Sequence, residues 1–194
     1  MLEYRVPNKE FVATYDFHKD RPAAHHMEQP ENKIRLLCTA ALVEYATLCH
    51  NVESIVDCGC GDGGLLQYLK QRGIGNSVGY DFHGPGVKYA RDARGVSANY
   101  ANFLENLEML TEADLTIMSE VLEHLDDPHT TLQRISSSWI VVSSPNNETQ
   151  YGHADEHQWV WDRDGYVNMI SKQGWVPYQV VDVHNATIVL AGRL

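Results

Sequence analysis

Glu120, Glu123 and His124 stand at i, i+3 and i+4. If Glu120 opens a helical turn, all three share one face. Two carboxylates and an imidazole on one face suit a divalent cation such as Mg2+, Mn2+ or Zn2+, with a further ligand from elsewhere. Alternatively, His124 acts without metal as a general base that takes a proton from a hydroxyl or amine. A plainer reading makes this stretch scaffold, with Glu123 at the surface and His124 packing a loop. A second histidine group, His153-Ala154-Asp155-Glu156-His157-Gln158-Trp159-Val160-Trp161, follows a strand and has the composition of a substrate loop. The competing reading packs Trp159 and Trp161 on the core.

The other concentration of special residues is Asp57-Cys58-Gly59-Cys60-Gly61-Asp62-Gly63. Glycines there permit a tight turn and let a ligand approach the backbone. A helix begins after them, and its first N–H groups are available to a ligand carboxylate. Glycines at 59, 61, 63 and 64 give G-x-G-x-G-G, which differs from the dinucleotide spacing G-x-G-x-x-G. No G-K-S/T follows, so a P-loop is excluded. Asp57 and Asp62 repel a pyrophosphate and favour a cationic ligand.

These groups need a scaffold of alternating elements. Apolar runs predict strands at Ser54–Cys58, Ser77–Phe82, Ser97–Ala101, Asp114–Ser119, Trp139–Ser143, Gln179–Val183 and Thr187–Ala191. Helical periodicity falls at Asn32–His50, Gly64–Gln71, Gly86–Ala93, Pro128–Ser137 and Asp164–Gln173. Strand–helix alternation implies an α/β fold, a Rossmann-like, mostly parallel seven-stranded sheet with helices on both faces. The last two strands, joined at His184-Asn185, form a C-terminal antiparallel hairpin. Residues 1–30, punctuated by Pro7, Pro22 and Pro30, form an N-terminal extension, and residues 31–194 form the main domain.

With those elements in order, the sequence resembles class I S-adenosylmethionine (SAM)-dependent methyltransferases over roughly residues 50–194. D-C-G-C-G-D-G is similar to the family's D-x-G-x-G-x-G. Gly79-Tyr80-Asp81 resembles the strand end whose acid holds both ribose hydroxyls, which a carboxylate does by accepting two hydrogen bonds. Phe82 then packs on adenine. Asn102-Phe103 stand where the family meets the adenine amino group and a ring nitrogen, with Asn in place of the usual Asp. Asp114 to Leu125, containing Glu120-Val121-Leu122-Glu123-His124, resembles the family's fourth-strand signature. The resemblance thus implies a SAM site made of Asp57, Gly59, Cys60, Gly61, Asp81, Phe82, Asn102, Phe103, Ser119 and Glu120. The E-x-x-E-H pattern is similar to that of ubiquinone-biosynthesis O-methyltransferases and of small-RNA terminal 2'-O-methyltransferases. In the second group a later histidine completes a metal site, which points to Glu120, Glu123, His124 and His157 here. The late stretch departs from that group by one extra residue and by Gly152 in place of an Arg.

Composition narrows the class. The chain has 194 residues, 43% of them hydrophobic, as suits one domain with a sizeable core. No run approaches the roughly 18–20 apolar residues of a membrane span, and Met1 to Pro7 lacks the apolar stretch of a secretory signal. Cys38, Cys49, Cys58 and Cys60 form no C-x-x-C pair, as expected of reduced thiols in a cytoplasmic protein. Acidic residues number 26 against 15 Lys and Arg, a net charge of −11, which disfavours non-specific contact with phosphate backbones. The expected activity is methyl transfer to oxygen or nitrogen of a small molecule, with His124, Glu123 and His157 as the catalytic candidates. An RNA 2'-O-methyltransferase and a non-catalytic SAM-binding module are the alternatives. Tyr4, Phe11, Tyr15, Phe17, His18, His25 and His26 lie in the extension, which the resemblance implies folds over the site as a lid; the alternative reading is a loosely ordered tail.

Overall fold

The computed structural model describes residues 1–6 and 25–193. Phe11, Tyr15, Phe17 and His18 of the expected lid lie outside the described residues. Strand β1 (Glu3–Arg5) comes first. A single 3-10 turn, His26–Glu28, then leads into α1 (Pro30–His50). Pro30 opens this helix, where its missing N–H costs nothing. Leu36, Ala40, Val43 and Ala46 recur at helical spacing and are buried. Strand β2 (Ile55–Cys58) is buried along its whole length and runs through the glycine turn into α2 (Gly64–Gln71). Next come β3 (Ser77–Asp81), α3 (Gly84–Asp92) and β4 (Ala98–Tyr100). A 3-10 turn and α4 (Leu107–Leu110) precede β5 (Leu115–Ser119). A 3-10 turn at Leu122–His124, α5 (Pro128–Arg134) and β6 (Trp139–Pro145) follow. The chain closes with β7 (Trp159–Trp161), α6 (Arg163–Lys172), β8 (Val176–Val183) and β9 (Ala186–Gly192).

Seven strands form one sheet in the order β4-β3-β2-β5-β6-β9-β8. The first five pair in parallel, while β9 is antiparallel to both β6 and β8, as the sequence predicted. Residue alternation divides the strands between two apolar layers. Ile55, Leu115, Ile117 and Val141 face the layer under α1. Val56, Met118, Ile140 and Val142 face the opposite layer, filled by Trp161, Tyr166 and Trp175. Strand order reverses between β2 and β5, and in open α/β sheets ligands bind at the carboxyl ends beside such a reversal.

Two features depart from expectation. Residues 3–5 of the extension are not a loose tail: as β1 they pair with β7 in a second, two-stranded antiparallel sheet, Glu3 opposite Trp161 and Arg5 opposite Trp159. Gly165 makes this docking possible, because a Cβ there would stand 1.8 Å from the Leu2 carbonyl oxygen. The chain after β5 does not enter a helix at Glu120 either. Glu120 adopts φ 57°, a left-handed conformation that costs a non-glycine residue about 1–2 kcal/mol, and only one 3-10 turn follows. No helix among the described residues is long and apolar enough to cross a membrane.

Candidate active site

A cleft of about 430 Å3 opens at the carboxyl ends of β2, β3 and β5. Its floor is the glycine turn. Gly59 has φ 88°, and a Cβ there would meet Val121 Cγ2 at 2.5 Å, so the turn and the loop after β5 approach closely only because this residue is glycine. The Gly61 N–H donates to Asp81 Oδ2 at 2.8 Å, and the His83 N–H donates to Oδ1 at 2.7 Å. Two backbone donors therefore fix the Asp81 carboxylate at the end of β3, facing the cleft. Asp57, 3% exposed, also lines it. Burial, reinforced by the charge of Asp81, pushes the Asp57 carboxyl from 3.8 to about 7. Phe82 and Phe103 supply apolar walls. Burial raises the Cys58 and Cys60 thiols, which makes both poor nucleophiles near neutral pH.

Asp62 is engaged otherwise than the sequence suggested. Its Oδ2 pairs with Arg94 Nη2 at 2.5 Å, and Arg94, 6% exposed, also reaches Glu28 at 3.1 Å. The Asp62 charge is thus compensated from within the fold, and the residue also lines the cleft. The same contacts bind the turn before α1 to the glycine loop, and His26 from that turn lines the cleft. Asn102 is exposed and caps the 3-10 turn after β4: its Oδ1 accepts from the Leu104 N–H at 3.3 Å and its Nδ2 donates to Glu105 at 3.2 Å. Of that predicted pair, Phe103 lines the cleft and Asn102 does not.

At the β5 side, Ser119 and Glu120 border the cleft. Glu120 Oε1 accepts from Ser143 Oγ at 2.9 Å, and its left-handed backbone turns the next residues inward. Glu123, expected at the surface in the scaffold reading, is instead 1% exposed. Neither of its carboxylate oxygens has a hydrogen-bond partner among the described residues. Burial first, then the neighbouring Glu120, push its carboxyl well above the usual range. His124 Nδ1 lies 3.3 Å from the Glu156 carbonyl oxygen, and His157 Nδ1 lies 2.7 Å from Glu148 Oε2. The two imidazoles meet edge to face with centroids 4.7 Å apart. Ligand atoms of Glu123, His124 and His157 all fall within 4.8 Å of one another. Glu120 is not part of that trio. A buried carboxylate without donors, beside two imidazoles held through Nδ1 by oxygen acceptors, fits a divalent cation.

Sequence reasoning missed two residues of this site. Glu148 holds His157 with one oxygen and accepts the Ala154 N–H with the other at 2.9 Å; in sequence it is one acid in a polar loop. Arg35 projects from α1 and is 6% exposed. Its Nη1 donates to Ser119 Oγ at 2.5 Å, and its Nε lies 4.0 Å from Glu120 Oε1. A signal existed there: Arg35 shares the buried face of α1 with Thr39, Leu42, Val43 and Ala46, where a charge needs a reason.

Comparison with known proteins bears on this geometry. The methyltransferase domain of bacterial CtHen1-C superposes with a TM-score of 0.64 at 17% identity, over 82% of this chain and 96% of that one. Magnesium protoporphyrin IX methyltransferase (ChlM) from Synechocystis PCC 6803, solved with bound S-adenosylhomocysteine (SAH), gives 0.66 at 13% identity, over 93% of each chain. A SAM-dependent methyltransferase from Archaeoglobus fulgidus gives 0.61 at 18% identity, over 82% of this chain and 94% of that one. At these identities the likeness establishes the fold. No curated protein matches the sequence significantly. A family model described as a methyltransferase domain matches residues 24–180, well over half the chain, and the protein is therefore an enzyme belonging to the methyltransferase domain family.

Proposed function

We propose that this enzyme transfers the methyl group of SAM to a hydroxyl oxygen of a small molecule with the assistance of a divalent cation. One observation carries the reading: the glycine turn with Asp81 and the Glu123–His124–His157 trio line a single cleft. SAM brings a methyl group already activated by its sulfonium, so the protein's task is alignment, exclusion of water and proton removal. Asp81 accepts the ribose hydroxyls, and Phe82 and Phe103 flank the adenine. Gly59, Cys60 and Gly61 let the backbone approach, and Asp57 faces the ammonium group, whose positive charge favours the ionised form of the carboxyl. Glu123, His124 and His157 would hold the cation, Mg2+, Mn2+ or Zn2+, and a cation there would orient an acceptor oxygen and lower its pKa. Glu120 and Ser119 wall the same side, and His124 is the proton acceptor if the acceptor atom is a nitrogen. Methyl transfer leaves SAH and the methylated acceptor, with the acceptor proton passing to solvent, or to His124 where the acceptor is a nitrogen and no cation occupies the imidazole. The described part of residues 1–30 acts with the 31–194 domain as a wall of the site, a role supported by β1 on β7 beside the histidine loop and by His26 in the cleft.

A terminal 2'-hydroxyl of RNA is the second reading. It is favoured by His157 joining Glu123 and His124, as the small-RNA resemblance implies, and opposed by the net charge of −11. The test is transfer of labelled methyl from SAM to panels of phenols, other hydroxylated small molecules, amines and short RNAs, with and without each cation. The proposal expects cation-dependent labelling of a hydroxylated small molecule, abolished by H157A. Labelling of RNA would establish the second reading instead, and cation-independent labelling of an amine would overturn the metal-assisted one.

A further inference from the structure

We infer that docking of β1 positions the Glu123–His124–His157 trio and so sets the enzyme's affinity for a cation from outside the cleft. This rests on the metal-assisted reading above. The trio comes from two segments far apart in sequence, the 3-10 turn after β5 and the loop before β7, yet its ligand atoms fall within 4.8 Å of one another. Ligand distances around a cation tolerate only about 0.2 Å, so one segment must be fixed against the other. They meet directly at three places. The Gln158 N–H donates to the Glu123 carbonyl oxygen at 2.7 Å, Trp159 Nε1 donates to that of Asp126 at 3.3 Å, and His124 Nδ1 lies 3.3 Å from that of Glu156.

The N-terminal strand bonds to both segments. The Val6 N–H donates to the Gln158 carbonyl oxygen at 2.9 Å. The main chain of Gln158, next to His157, therefore carries one hydrogen bond to the N-terminal segment and another to Glu123. Arg5 pairs with Asp126, and its guanidinium lies 5.9 Å from the Trp159 ring centroid. Glu3 Oε1 lies 3.0 Å from His129 Nε2 on α5. Side chains of β1 thus clasp the chain that follows His124, while its backbone clasps the chain that follows His157. These ion pairs are partly exposed and individually weak, so the strap acts by fixing register. It is also separable from the fold. β1 stands outside the seven-stranded sheet and pairs with β7 over three residues, a pairing that is marginal by itself. Its seat is Gly165, where a Cβ would stand 1.8 Å from the Leu2 carbonyl oxygen and 2.6 Å from its carbon. Glycine weakens a helix that contains it, so β1 explains this residue and α6 does not.

The experiment is calorimetric titration of the full chain, G165A, V6P and H157A with Mn2+ and, separately, with SAH. G165A drives a methyl group against the Leu2 carbonyl while favouring α6; V6P removes the N–H that reaches Gln158 and leaves the rest of β1 in place. Both are expected to weaken Mn2+ binding about 10- to 100-fold, the range for losing a group that orients a metal ligand. SAH affinity is expected to stay within about twofold of the parent, and amide hydrogen exchange at Gln158 to quicken as its bond to Glu123 loosens. Unchanged Mn2+ affinity in either folded variant overturns the inference. Equal weakening of Mn2+ and SAH also overturns it, by making β1 a prop for the whole cleft. A folded parent that binds no Mn2+, or that binds it equally well as H157A, sinks the metal-assisted reading itself and the inference with it.

Discussion

Replacing Asp57 with asparagine isolates the electrostatic cost of burying an acid before the glycine turn. Asp57 is 3% exposed, and burial, with the charge of Asp81 beside it, lifts its carboxyl from 3.8 to about 7. Below pH 3.8 the folded and unfolded chains both carry the proton, and the group contributes no difference. As pH rises from there, the unfolded chain ionises first while the fold keeps Asp57 neutral, so stability falls; above about 7 the penalty is constant. At about 1.36 kcal/mol per pKa unit, the interval corresponds to about 4 kcal/mol at most. Asn imitates the neutral carboxyl without titrating. D57N is therefore expected to match the parent near pH 4 and to exceed it by up to about 4 kcal/mol at pH 8. Urea unfolding of both proteins at steps between those values measures the gap. A gap that does not widen with pH would refute the claim that Asp57 is held neutral by its surroundings.

Two further substitutions probe neighbouring contacts. E148A removes the acceptor of His157 Nδ1 and is expected to weaken Mn2+ binding, read by calorimetry, about 10- to 100-fold, with SAH affinity preserved; unchanged Mn2+ affinity would show that Glu148 does not orient the imidazole. R94M leaves Asp62, 3% exposed, without its guanidinium partner and is expected to cost about 3–5 kcal/mol in urea unfolding; a loss below about 1 kcal/mol would place the pair with weak surface bridges.

Much of the scaffold was legible because its signals are local. Val56 and Ile55 alternate across the sheet, glycines mark the turn, and Asp81 ends an apolar strand, so strand, turn and acid were each recognisable within a few residues. The site's remaining parts depend on contacts distant in sequence. β1 and β7 are three residues each, too short to show a period, and exist as strands because they pair across the whole chain. Asn102 has the composition of an adenine contact but sits where a 3-10 turn needs a cap, and capping claims its side chain. The i, i+3, i+4 spacing of Glu120, Glu123 and His124 assumed a helix; the left-handed Glu120 breaks it, and Glu123 and His124 meet His157 instead. Glu148 becomes interpretable only when the loop folds back and sets it 2.7 Å from His157.

Binding of SAH to the parent and to D81A by calorimetry tests the central claim most directly. Asp81 holds the turn through Gly61 and His83 and presents its carboxylate to the cleft, so the account predicts a heat of binding in the parent and an affinity at least about 100-fold weaker in D81A, the equivalent of two charge-assisted hydrogen bonds. No binding to a folded parent, or equal affinity in the two proteins, would contradict it.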